Sequence, residues 1–172
     1  MNREIILESD NIYYVNVSYD LIDEYLKMFN NPNIKKFITA DPKPYTYENR
    51  FMCVKEALET DTLIILSMFD KESGKFIGNI DFDNITLGDA EIGIIINEEF
   101  QNRHYGLEAL KRFIDYGFND LKLEEIYLGV YSNNYRAIHL YEKLGFVPYK
   151  TFKNVAIING DAVDTIYMKL HK

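Results

Sequence analysis

Residues 134 to 146 read N-Y-R-A-I-H-L-Y-E-K-L-G-F, and this stretch restricts the fold more than any other. Asn134 is a residue type that caps helices. Ala137, Leu140, Tyr141 and Leu144 follow at helical spacing and make one apolar face. Gly145 stands where a helix most often stops, in the left-handed position after its last turn. Phe146 then opens a strand-like run. Asn134 and Tyr141 lie seven positions apart, about two turns, so both project from the same side of the helix. One edge of a short helix therefore offers its N-terminus and a phenol.

A second constrained stretch begins at Glu91. Residues 91 to 96 read E-I-G-I-I-I, a β-branched run that predicts a buried strand. A polar turn follows through residue 99, and Phe100 leads into Gln101, Asn102, Arg103, His104, Tyr105 and Gly106. Leu107, Leu110, Phe113, Ile114 and Phe118 then carry a helical pattern. Strand, loop and helix N-terminus in that order form an anion site, because free N–H groups and the helix dipole both favour phosphate oxygens. Glycine at 106 lets the backbone approach a ligand closely.

The two stretches together resemble the GCN5-related N-acetyltransferases, the GNAT superfamily. The second resembles that family's pyrophosphate loop, Q/R-x-x-G-x-G/A, with Gln101 first and Gly106 last. His104 replaces the middle glycine. The resemblance implies an acetyltransferase that uses acetyl-CoA as its acyl donor and needs no metal. It implies an α+β, layered α/β/α fold whose mixed, mostly antiparallel sheet holds a splayed parallel strand pair. The strands around Ala90–Ile96 and Glu125–Tyr131 would be that pair, with the cofactor wedged between them. The backbone of Ile94, Ile95 and Ile96 would pair with the pantetheine arm, and the loop from Gln101 through Leu107 would hold the pyrophosphate. Asn134 would hydrogen-bond the pantetheine, and Tyr141 would protonate the leaving thiolate.

Acetyl transfer to an amine also needs a proton acceptor. Glu91 is the candidate, because it begins the strand that leads into the loop and shares a face with Gly93, which leaves room beside it. Asp81 and Asp83 on the preceding strand are alternatives. The family branch resembled most is that of ribosomal-protein N-terminal and spermidine acetyltransferases, so the acceptor would be a polyamine or a protein N-terminal amine. Aminoglycosides and amino sugars stay open, as does a non-catalytic CoA-binding role. Glu24, Asp41, Tyr45, Tyr47 and Glu48 are a candidate acidic, aromatic groove for a cation, or ordinary surface residues. Homodimers are an expectation of the same branch.

Composition narrows the rest. The chain's 172 residues fit one domain, residues 1–172, and 47% apolar content supports a sizeable core. A net charge of −8 lacks the basic face that nucleic-acid binding requires. No apolar run approaches the roughly twenty residues that span a bilayer, and the N-terminus lacks a signal-peptide pattern. The single cysteine, Cys53, fits a reducing compartment. The expectation is a cytoplasmic protein that engages neither membrane nor nucleic acid.

Along the chain, strands are predicted at 12–17, 63–69, 76–82, 90–96 and 125–131. Helices are predicted at 20–29, around 34–37, at 46–59, from 107 and from 134. Asn159-Gly160 signals a hairpin between strands at 155–158 and 163–168. The order reads β-α-α-β-β-β-α-β-α-β-β, which places antiparallel strands first and crossover helices later.

Overall fold

Local capping chemistry starts the helices where the sequence places them. Helix α1 (Ile22–Phe29) follows a short 3₁₀ turn at Tyr19–Leu21. The four-residue α2 (Pro32–Lys35) has Asn31 as its cap, accepting from the Asn33 N–H, and proline in its first turn, where proline's missing donor costs nothing. Helix α3 (Tyr47–Glu59) opens on a reciprocal pair in which Thr46 accepts from the Asn49 N–H and the Asn49 side chain accepts from that of Thr46. Helices α4 (Tyr105–Asn119) and α5 (Tyr135–Lys143) belong to the two stretches singled out above. Gly145, at φ +93°, ends α5 as its position predicts.

In the computed structural model, which describes residues 3–172, eight strands form one sheet. They are β1 (Ile5–Glu8), β2 (Ile12–Asn16), β3 (Ile64–Asp70), β4 (Phe76–Asp83), β5 (Asp89–Ile96), β6 (Glu125–Tyr131), β7 (Val147–Ile158) and β8 (Asp161–His171). Their spatial order is β1-β2-β3-β4-β5-β6-β8-β7. Every neighbouring pair is antiparallel except β5–β6. The mixed, mostly antiparallel sheet of the sequence expectation is therefore observed.

The parallel pair splays. Strand β4 follows β5 along its length, from Asp83 opposite Glu91 to Gly78 opposite Ile96. Strand β6 meets β5 only at Asp89–Glu125, Ala90–Ile126 and Glu91–Tyr127, while β8 accompanies β6 through Tyr131. Past Glu91 and Tyr127 the two strands part, and the edge of β5 from Ile92 to Ile96 faces a gap.

Each face of the sheet is covered by its own core. On one side α1 and α3 pack Tyr25, Met28 and Val54 onto Val15, Val17, Phe69 and Phe76. On the other, Leu110 and Phe113 of α4 and Tyr141 of α5 pack onto Ile80, Phe82, Ile92, Leu128 and Met168. Phe82 and Phe113 stack with centroids 4.2 Å apart. The result is the layered α/β/α arrangement.

Two strands differ from the sequence expectation. Strand β1 lies before the first predicted strand, and its four residues are too few to carry a readable period. The final hairpin turns at Asn159 and Gly160, both at positive φ, but its arms are 12 and 11 residues long. Strand β7 lies at the sheet edge with nearly all its residues exposed, and register shifts near Pro148 and Phe152 interrupt its alternation. An edge strand without a buried face has little apolar pattern to betray it.

Candidate active site

The geometry of the site follows from where β5 and β6 part. Gln101 through His104 connect β5, by way of a 3₁₀ turn at Glu98–Phe100, to α4. Gln101 donates from Nε2 to the Ile96 carbonyl at 2.8 Å and so fastens the loop to the strand end. Asn102 (φ +61°) and His104 (φ +68°) both take the left-handed conformation. His104 thus keeps the backbone turn that glycine would adopt freely; histidine and asparagine are among the residues that tolerate it. Arg103 and His104 are exposed. Tyr105 turns toward β3, where its hydroxyl donates to Asp70 Oδ1 at 2.7 Å; its side chain serves packing, and its backbone remains in the loop.

The first helical bond of α4 runs from the Glu108 N–H to the His104 carbonyl at 3.1 Å, and no side chain caps the helix. The N–H groups of Tyr105, Gly106 and Leu107 precede that bond and are the unsatisfied donors of a helix start. Gly106 adds a telling detail. A methyl group there would meet only Leu140 Cδ2, at an ordinary 3.5 Å. The fold itself does not demand glycine at 106. Arg136 of α5 donates to Asn102 Oδ1 at 3.0 Å and brings a second arginine to the loop. Sequence reading missed Arg136, since only the tertiary fold sets α5 beside this loop. These features fit a diphosphate: unsatisfied amides, an uncapped helix start and nearby cations.

Asn134 caps α5, with Oδ1 accepting from the Ala137 N–H at 3.3 Å. Its amide NH₂ is the group left for a ligand. Tyr141 is 8% exposed, and its ring meets Phe146 edge-on at 5.8 Å. Burial, helped by the charge of Asp81, pushes its phenol up to about 12. Tyr141 is therefore protonated at neutral pH and available as a donor.

The carboxylates sort by strand register. Asp81 lies opposite Gly93, and Asp83 opposite Glu91, so all share the sheet face covered by α1 and α3. A methyl group on Gly93 would stand 2.6 Å from Asp81 Oδ2 and 2.8 Å from Oδ1. The space left by Gly93 is thus filled by Asp81 rather than by Glu91. Burial, reinforced by Asp83 and Glu91, pushes the Asp81 carboxyl up to about 7. Glu91 is also raised, by burial and by Asp83, against a hydrogen bond with Asn84. It occupies the last paired position of the parallel strands, at the crotch of the opening. Ile94, Ile95 and Ile96 line the opening, each half-buried.

The acidic, aromatic groove of the sequence reading is already furnished with the protein's own cations. Lys27 pairs with Glu24 at 2.9 Å. The guanidinium of Arg50 stands 4.7 Å from the Tyr45 ring centroid, and the Lys35 ammonium 5.8 Å from it. Asp41 closes its own loop by accepting from the Lys43 N–H, and Tyr47 and Glu48 are exposed at the start of α3.

Comparison with known proteins accords with this geometry. The profile of the acetyltransferase (GNAT) domain matches residues 14–147. Spermidine N(1)-acetyltransferase of Escherichia coli K12 is 40% identical over 79 residues, which span 46% of this chain and 42% of that protein. The L-amino acid N-acetyltransferase AaaT of the same organism is 34% identical over 79 residues, 46% of this chain and 49% of that one. The chain thus spans less than half the length of these relatives. Vibrio cholerae spermidine N-acetyltransferase, solved with CoA and spermine, superposes with a TM-score of 0.86 at 24% identity, covering 95% of this chain and 96% of that one. That superposition speaks for the fold.

Proposed function

We infer the function from a premise of kinship: this chain belongs to the GNAT acetyltransferase family, and we propose that it transfers acetyl from acetyl-CoA to a primary amine. The observation that carries the reading is the opening between β5 and β6, which leads into the uncapped start of α4 with its unsatisfied amides. A ligand strand laid in that gap meets the free edge of Ile94 to Ile96. Its diphosphate falls to the amides of residues 105–107 with Arg103, His104 and Arg136 near, and the Asn134 amide reaches its arm.

In the proposed reaction a neutral amine attacks the thioester carbonyl carbon in a ternary complex. The C–N bond forms and the C–S bond breaks. The amine's proton passes to a carboxylate. A backbone N–H near Ile94 holds the oxyanion, and the Tyr141 phenol donates to the departing sulfur. The products are an N-acetyl amide and free CoA. Asp81 is the first candidate for the base, because burial raises its carboxyl to about 7, where it suits proton transfer near neutral pH. Glu91 at the crotch is the second candidate.

The relatives' names support a polyamine as acceptor, with a protein N-terminal amine as the alternative from the same branch. A second acceptor class, an amine that carries an anionic group, is favoured by Arg50, which forms no ion pair among the described residues. The test is CoA thiol release from acetyl-CoA against a panel of spermidine, spermine, N-terminal peptides, amino acids and aminoglycosides. Saturable release with at least one primary amine is expected. A chain that binds acetyl-CoA yet releases no thiol with any of them is a non-catalytic member of the family.

A further inference from the structure

The sheet face that carries Asp81 also encloses a small cavity, about 40 Å³, between β3, β4, α1 and α3. Apolar side chains, among them Tyr25 and Phe29, supply most of its wall. Three polar groups do not follow that character. Asp81 is one. Asn79 is the second: it is 6% exposed, and its Oδ1 has no partner. Arg50 is the third. Its Nε is buried and makes no hydrogen bond, and among the described residues Arg50 forms no ion pair.

The position of Arg50 is well fixed. Its guanidinium lies 4.4 Å from the Phe29 ring centroid and 4.7 Å from that of Tyr45. These ring contacts are cation–π contacts, not hydrogen bonds, and leave the N–H donors of the group for an acceptor. A buried unpaired donor and a buried unpaired acceptor each carry a free-energy cost. Here they line the same cavity, and neither finds a partner in the fold. A ligand with a hydrogen-bond donor at one end and an anion at the other satisfies both.

We propose that this cavity is the acceptor's head-group site, that Arg50 is its specificity residue, and that the acceptor is an aminocarboxylate. This rests on the acetyltransferase reading above. The amine lies at Asn79 Oδ1 and Asp81, and the carboxylate accepts from the Arg50 fork. Asn79, Asp81 and Arg50 line one small cavity, so amine and carboxylate belong to one compact acceptor. An α-amino acid carries both groups on a single carbon. A polyamine places a second cation, rather than an anion, along its chain, and the guanidinium repels it.

The experiment is steady-state kinetics of the full chain with saturating acetyl-CoA. Acceptors are matched in threes: each α-amino acid, its methyl ester and the corresponding simple amine, with spermidine alongside. The expected result is a kcat/KM for the acid about ten- to a hundredfold above that of its ester, as a charge-assisted hydrogen bond implies. In Arg50→Gln that ratio should fall toward one through the acceptor KM, with the KM for acetyl-CoA unchanged; Arg50→Lys should retain part of it. Spermidine or the ester used as well as the acid by the parent chain overturns the proposal and leaves the acetyltransferase reading standing. The parent's ratio decides this even if the Arg50 variants fail to fold. No turnover of any amine overturns both.

Discussion

Asp81 shows at the level of one residue how much register governs chemistry. Its carboxyl is pushed up to about 7 in the fold, against about 3.9 in an unfolded chain. Between those values the unfolded chain is ionised while the folded one still holds its proton. Raising the pH through this window therefore removes stability, and the loss is complete above the folded value. Asp81→Asn abolishes that titration. The variant should melt higher than the parent at pH 8, with the gap closing toward pH 4. Its turnover at neutral pH should fall by about a hundredfold or more if Asp81 is the base, and the acidic limb of the parent's rate profile should lie near pH 7. Glu91→Gln separates the two carboxylates: a loss larger than that of Asp81→Asn returns the base's role to Glu91.

Tyr141 raises a question of direction at the same scale. Its phenol near 12 is a weaker acid than an ordinary thiol, near 8.5. Complete proton transfer from it to a free thiolate is uphill, so its main contribution is a hydrogen bond to the sulfur as charge develops there. Such a bond is worth about 1.5–3 kcal/mol. Tyr141→Phe should therefore slow turnover by roughly ten- to a hundredfold, since 1.4 kcal/mol corresponds to a factor of ten. The KM for acetyl-CoA should change little. Unaltered turnover would reduce Tyr141 to a packing residue of α5.

Among the elements, the loop into α4 offers a clean separation of fold from ligand. Gly106 is not required by any contact within the protein, and alanine is favoured over glycine inside helices by about 1 kcal/mol. Gly106→Ala should hold or raise the melting temperature and weaken CoA binding, read by calorimetric titration. Equal affinity would mean that the diphosphate does not approach this backbone. His104→Gly tests the other irregular position. It removes a side chain from a left-handed turn that glycine adopts without strain, and CoA should bind no worse. Strand β7 has a separate lesson. Its length escapes the sequence because exposed edge positions are not held to an apolar alternation.

For the whole molecule, the opening between β5 and β6 is a break in an otherwise continuous eight-stranded ladder. A ligand strand placed there completes the hydrogen bonding of Ile92 to Ile96. Acetyl-CoA should accordingly slow amide exchange along that edge more than in β3 or β4. It should also stabilise the fold by about 2.7 kcal/mol at a hundredfold excess over its dissociation constant. A melting curve indifferent to millimolar acetyl-CoA would remove the cosubstrate from the proposal. Among the described residues no helix is long and apolar enough to cross a membrane.

The sequence by itself determined the features that depend on neighbours along the chain. Caps at Thr46 and Asn134, the stop at Gly145, the turn at Asn159-Gly160 and the strand–loop–helix order around Gln101 to Leu107 all arise within a few residues. Short-range hydrogen bonds and backbone sterics decide them, so they can be read locally. The tertiary structure alone decided which carboxylate fills the space at Gly93, because that depends on the register of β4 against β5. It alone set Arg136 beside Asn102 and Arg50 against Phe29 and Tyr45 in a cavity with Asn79 and Asp81. Arg136 and Asn102 stand 34 positions apart, and Arg50 is drawn to Asn79 and Asp81 from another element, so no local periodicity records these meetings. The family was therefore legible in two short stretches, while the acceptor contacts proposed above come from side chains that only folding brings together.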